Sequence, residues 1–270
     1  MAIYTDIAGE LFTGKKGTVP PGVQRESFSS GDITVTRVRV LQDGLRRPKG
    51  RYVTVELPDF SRIDDRSERY IGAVATEIEA LIPKKGAVLV AGLGNPAVTA
   101  DSLGPRTAEQ IFVTRHFGAA FAQDMPALRP VASVSLGVEG KTGLSAPERL
   151  RPLVEKLEFK AVICVDALCT SSPGRLGCTV QVSDTGIQPG AGLGSCSGEL
   201  SQKTLGVPVI AVGVPTVMDA GECCPGSRGL VVTPREIEPV VRRAVSVVSL
   251  AVNRALQKTL SAAELRFLLS

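Results

Sequence analysis

The chain has no tryptophan, a single histidine (His116), and only 4% aromatic residues. One histidine excludes a multi-histidine metal cage within the chain, and any Ser-His-Asp or Cys-His arrangement would have to use it. It falls beside Arg115 at the end of a predicted helix, where a packing role is the simpler reading. So few rings leave little on which to stack nucleic-acid bases, and no Lys/Arg block forms an electrostatic footprint for a phosphate backbone. No apolar run reaches the ~18–20 residues of a membrane span. The opening Met1-Ala2-Ile3-Tyr4-Thr5-Asp6 lacks the basic and apolar regions of a signal peptide, which predicts a cytoplasmic protein. The six cysteines include no C-x-x-C pair, so neither a zinc site nor a disulfide framework is expected. Cys164 reads as a core residue. A G-x-S-x-G nucleophile elbow is also absent.

What remains is an ordinary globular composition. The 270 residues are 43% apolar and 21% charged with a net charge of +4, enough for a sizeable core. Residues 1–30, broken by Gly14-Lys15-Lys16-Gly17 and Pro20-Pro21-Gly22, read as a mobile N-terminal arm, and residues 31–270 as a single domain. Residues 32–40 and 51–57 alternate apolar and polar side chains, as half-buried strands do. Helical periodicity covers residues 68–82, 107–117 and 146–157, and apolar strand-like runs cover 87–91, 130–136, 160–165 and 207–214. Thr233, Pro234 and Glu236 fit a capping box opening a long helix to about residue 257. The alternation predicts an α/β fold: a mostly parallel central sheet flanked by helices, with extra N-terminal strands extending it or forming a flap.

The stretch 87–105 is the most informative. Its strand-like run ends at Gly92-Leu93-Gly94-Asn95-Pro96-Ala97, which matches G-x-G-x-x-A on its face. Pro96 and Pro105 delay the helix that a dinucleotide site needs, and no acid follows about 20 residues on, so a nucleotide is not expected. Ser183-Asp184-Thr185-Gly186 contains the D-T-G of pepsin-like enzymes. Those need two such loops on an all-β frame, and a turn is the better reading here. Asp101 follows the glycine turn, and Asp166 ends the run 160–165. If the two strands are neighbours, two carboxyls share one edge of the sheet. They would then share a proton and work as base and acid on a water. Alternatively they hold a divalent metal, or Asp101 caps a helix and Asp166 makes a turn. The residues alone leave these open.

Several long motifs follow in order along the chain: Thr5-Asp6-Ile7-Ala8-Gly9-Glu10, Lys49-Gly50-Arg51-Tyr52, the stretch around Gly92-Leu93-Gly94-Asn95 and Asp101, Val165-Asp166-Ala167-Leu168, and Val212-Gly213-Val214-Pro215-Thr216-Val217-Met218-Asp219. Together they are similar to those of the germination proteases of spore-forming bacteria. The resemblance implies an atypical aspartic endopeptidase with a fold related to hydrogenase-maturation peptidases. It assigns catalysis to Asp101 and Asp166, with Gly94 and Asn95 in support and no cofactor or metal. It also implies a homotetramer in the spore core, made as a zymogen, that degrades small acid-soluble spore proteins during germination. Family cleavage sites resemble T-E-[FI]-A-S-E-F, cut after the first acid, so self-cleavage is expected between Asp6 and Ile7. Backbone N–H groups of the loops at 92–95 or 190–194 would stabilise an oxyanion. A metal-dependent maturation-type peptidase using the same acids, or a non-catalytic sporulation regulator, is the alternative. Leu136, Ser145, Ser171-Ser172 and Ser195-Cys196-Ser197 depart from the family pattern.

Overall fold

The computed structural model describes residues 5–12, 19–117, 128–190, 198–224, 226–227 and 229–269. Its centre is a nine-stranded sheet in the order β1-β2-β3-β7-β8-β6-β4-β5, with β9 paired to β8. The strands are β1 (Val23–Ser30), β2 (Ile33–Val40), β3 (Gly50–Glu56), β4 (Val88–Leu93), β5 (Val131–Gly137), β6 (Ala161–Thr170), β7 (Thr179–Ser183), β8 (Val209–Asp219) and β9 (Val231–Val232). Strands β5, β4, β6 and β8 run parallel, as their alternation with helices predicts. The early strands extend the sheet instead of folding over it: β1, β2, β3 and β7 add an antiparallel half that joins β8 through β7.

The helices are α1 (Ala8–Leu11), α2 (Glu68–Glu79), α3 (Leu103–Glu109), α4 (Glu139–Thr142), α5 (Ala146–Lys156), α6 (Gln202–Leu205), α7 (Ile237–Leu256) and α8 (Ala262–Leu269). Two layers cover the parallel strands, and strand alternation divides the side chains between them. Val88 and Val90 of β4, with Ala161, Ile163 and Val165 of β6, pack in the cluster that includes α2 and α7. Leu89, Ala91 and Leu93, with Val162 and Cys164, pack with Leu150 and Val154 of α5. Cys164 is therefore a core residue, and burial pushes its thiol well above the usual range.

Three local expectations change. The helix expected at 107–117 spans Leu103–Glu109. Pro105 fits within its first turn, where a missing N–H costs nothing. It stops because the buried Asn253 of α7 takes the chain over: its side chain donates to Gln110 O (2.9 Å) and accepts from Phe112 N (2.8 Å). The capping box at Thr233 does not form. Helix α7 starts at Ile237, and Thr233 Oγ1 donates instead to Thr216 O at 2.9 Å. Finally, much of the expected N-terminal arm lies against the body. Residues Val23–Ser30 form β1, and Ala8 and Phe12 pack against Val38, Val40 and Tyr52. Composition hid this because the anchors of the segment lie far along the chain. The Glu10 carboxylate accepts from Ser171 N (2.9 Å), Ser171 Oγ (2.6 Å) and Thr170 Oγ1 (2.5 Å).

Candidate active site

Strand β4 is buried throughout and ends at Gly94, whose φ of +109° only glycine adopts without strain. The turn then wraps back on Asp101. Asn95 N donates to Asp101 Oδ2 at 2.7 Å, and Asp101 closes the 3₁₀ turn Thr99–Asp101 ahead of α3. The fit is tight: a Cβ on Gly94 would stand 2.2 Å from Asp101 O and 2.8 Å from its Oδ1. At the start of α3, a Cβ on Gly104 would lie 2.2 Å from Leu93 O and 2.3 Å from Val165 O, so the helix rests on the end of β4 and the middle of β6. A third strand pins the turn, with Thr216 Oγ1 of β8 donating to Ala100 O at 2.7 Å. Gly94 thus serves close packing against Asp101, and Gly104 close packing of the helix on the strands.

Asp166 lies inside β6, which runs on to Thr170. Strand β6 pairs directly with β4, Gly92 opposite Val165, so Asp166 is level with the end of β4 where the turn to Asp101 begins. It continues the row of Val162 and Cys164, and Ala167 N donates to its Oδ1 at 2.9 Å. Asp101 and Asp166 line one cleft of about 760 Å³ at the carboxyl edge of the parallel strands, where open α/β sheets place their sites. Its walls include Val98, Val231 and Val232, exposed valines that offer apolar surface to a ligand. Arg149 lines it too, but its guanidinium is engaged with the carbonyls of Leu136 and Gly137.

The cleft disfavours negative charge. Burial, then the neighbouring Asp101, then Asp6, push the Asp166 carboxyl well above the usual range, against one opposing N–H from Ala167. Burial also raises Asp101, opposed by the Asn95 N–H. Each carboxyl therefore favours its protonated form more than a solvated carboxyl would. Among the described residues, no group of three or more His, Cys, Asp or Glu side chains is placed to hold a metal ion.

The other sequence candidates sort clearly. Asn95 meets Asp101 through its backbone; its side chain accepts from Ala97 N (3.1 Å) and Lys141 Nζ (2.9 Å). Its N–H is thus already committed to a carboxylate, which removes it from any oxyanion hole. Of the 190–194 loop, residues 191–194 fall outside the described residues. Asp6 lines the cleft, while Ile7 is fully buried beside it. Asp184 of the D-T-G tripeptide accepts from Arg51 N and Nε, each at 2.7 Å, and is structural. His116 is exposed and packs on Phe117 with ring centroids 4.4 Å apart. Thr216 and Thr233 brace the cleft; the sequence reading gives neither a role in the site and expects Thr233 to cap a helix. The available signal was Thr216, a hydroxyl inside an otherwise apolar run.

Known proteins bear on this arrangement. The family model for germination protease matches residues 15–227. A germination protease of Clostridium acetobutylicum is 33% identical over a 320-residue alignment covering 98% of each chain. That of Caldanaerobacter subterraneus subsp. tengcongensis is 34% identical over 319 residues, covering 100% of this chain and 98% of its own. That of Clostridium tetani is 37% identical over 231 residues, 82% of this chain and 72% of its own. Among solved structures, a [NiFe] hydrogenase maturation protease from Thermococcus kodakarensis is similar at a TM-score of 0.39, with 17% identity over 65% of this chain and 98% of its own. The relatives place the chain among the peptidases, a class that an α/β fold with a cleft at its sheet edge suits. Within that class, the chain belongs to the germination protease family.

Proposed function

We propose that the chain is an endopeptidase of the aspartic type in which Asp101 and Asp166 act as a pair. The observation that supports this most is their placement in one cleft, Asp101 on the turn after β4 and Asp166 within the neighbouring β6, each raised, with Asp101 adding to the rise of Asp166. Asp166, the more buried, holds the shared proton and donates it to the scissile carbonyl. Asp101, held by Asn95 N, accepts a proton from the attacking water. Water oxygen bonds to the carbonyl carbon; as the tetrahedral adduct collapses the C–N bond breaks, Asp101 passes its proton to the leaving amine, and a hydroxyl of the adduct returns a proton to Asp166. The substrates are small acid-soluble spore proteins, cut during germination in the spore core by a homotetramer.

The pair predicts a bell-shaped pH profile for kcat. On the acid side, activity falls as Asp101 takes up a proton, above the usual carboxylate range because its carboxyl is raised. On the alkaline side it falls as the pair loses the proton that Asp166 holds. Cleavage of Thr-Glu-Phe-Ala-Ser-Glu-Phe, followed from pH 3 to 10 with and without chelator, checks this. Loss of activity on chelation points to a metal enzyme, and activity at no pH to a regulator.

The same reading makes the chain its own first substrate. Asp6 lines the cleft and its carboxyl is felt by Asp166, which supports cleavage between Asp6 and Ile7 as the step that matures a zymogen. Mass spectrometry of active protein is expected to find a chain beginning at Ile7. Full activity with an intact Met1 terminus contradicts self-processing.

A further inference from the structure

Asp6 divides the cleft from a second cavity of about 300 Å³, and Asp6 and Leu168 line both. The wall of this second cavity carries Arg46 and Arg47. Asp6 is held there as a bound peptide would be. Its N–H donates to Cys169 O at 2.8 Å, and Cys169 N donates to its Oδ2 at 2.9 Å. Arg47 Nη2 donates to the preceding carbonyl, Thr5 O, at 2.7 Å.

Yet Arg47 is underused. It stands 3.9 Å from Asp6 Oδ1, and its Nε is buried with no hydrogen-bond partner among the described residues. A buried guanidinium N–H without an acceptor is costly, so such a donor marks a place for one. A glutamate carboxylate reaches about 1.5 Å further from the backbone than an aspartate one. That is enough to close the gap to the roughly 2.7–2.9 Å of a charge-assisted bond, and it leaves a second oxygen for the forked geometry that a guanidinium favours.

We infer that Arg47, with the Cys169 N–H, forms the subsite that reads an acidic side chain on the N-terminal side of the scissile bond, and that it is sized for glutamate. Asp6 is a short stand-in for that side chain. The inference rests on the peptidase reading above, because that reading sets the Asp6–Ile7 bond beside the pair. Arg47 acts on specificity; it takes no part in proton transfer.

The test uses the full chain and three peptides that differ only before the scissile bond: Thr-Glu-Phe-Ala-Ser-Glu-Phe and its Gln and Asp counterparts. In the unaltered enzyme, kcat/KM for the Glu peptide is expected to exceed that for Gln by about 10- to 100-fold, the worth of a charged hydrogen bond. The Asp peptide falls between. In Arg47→Ala the Glu/Gln ratio collapses to about threefold or less, and Arg47→Lys keeps part of it because the charge remains while the fork is lost. The ratio is taken within one preparation, so partial misfolding cancels. An Arg47→Ala enzyme that keeps the full ratio overturns the inference, as does an unaltered enzyme that cuts Glu and Gln peptides equally. Cleavage that survives Asp166→Asn overturns the Asp101/Asp166 pair instead, and the Arg47 ratio stays readable on the same peptides.

Discussion

Asp166→Asn is expected to abolish cleavage and to raise stability in the same protein. The loss in kcat should be about a thousandfold or more, the scale seen when one member of a catalytic unit is removed. The gain in stability follows from burial. In the folded chain the Asp166 carboxyl titrates well above the usual range, so the native state binds its proton more tightly than the unfolded state does. That preference stabilises the fold fully at acid pH and is lost as pH rises through the folded-state value. An asparagine keeps the neutral shape at every pH. The melting temperature of the variant should therefore match the parent at acid pH and exceed it at neutral pH, by roughly 2–4 °C for each kcal/mol in a chain of this size. Calorimetry at two pH values with a peptide assay checks both signs. A variant that is inactive and also less stable at neutral pH would show that Asp166 is a structural group.

Gly94→Ala carries the second largest effect. The position has a φ of +109°, and an added Cβ would sit 2.2 Å from Asp101 O. The obstacle is backbone, which cannot swing aside as a flexible side chain would. Either the turn opens or Asp101 moves off the edge of the sheet. Displacement of a reacting group by about 1 Å costs on the order of a hundredfold in rate, and strain at such a backbone position costs about 1–3 kcal/mol. Both losses should appear together, in kcat and in the urea midpoint. Gly44→Ala is the control: it has a φ of +85° but open space around its Cβ, so its cost should appear in stability alone. Parent-like kcat in Gly94→Ala would show that the turn does not position Asp101.

The sequence carried the parallel half of the sheet because β4, β6 and β8 are near-continuous apolar runs buried on both faces, and only such strands read that way. Asp166 was legible for the same reason: an acid inside the row of Val162 and Cys164 has no place in a core without a task. Asp101 was legible only as an acid after a glycine turn, and its meeting with Asp166 depends on β4 lying beside β6, which spacing does not give. What stayed hidden is held by long-range contacts. Asn253 ends α3 from over a hundred residues away, and Thr216 takes the hydroxyl that would have capped α7. Glu10 ties the N-terminal segment to residues 170 and 171. Arg47, in a loop without periodicity, gains its meaning only from Asp6 and Cys169 on other elements.

The central claim is that Asp101 and Asp166 work as one unit, and a double-variant cycle tests it most directly. Cleavage of Thr-Glu-Phe-Ala-Ser-Glu-Phe is measured for the parent, Asp101→Asn, Asp166→Asn and the double variant. A unit that shares one proton is disabled by either change, so the double variant should lose no more kcat than either single one. Losses that multiply, or a single variant that keeps parental kcat, would contradict the shared-proton pair.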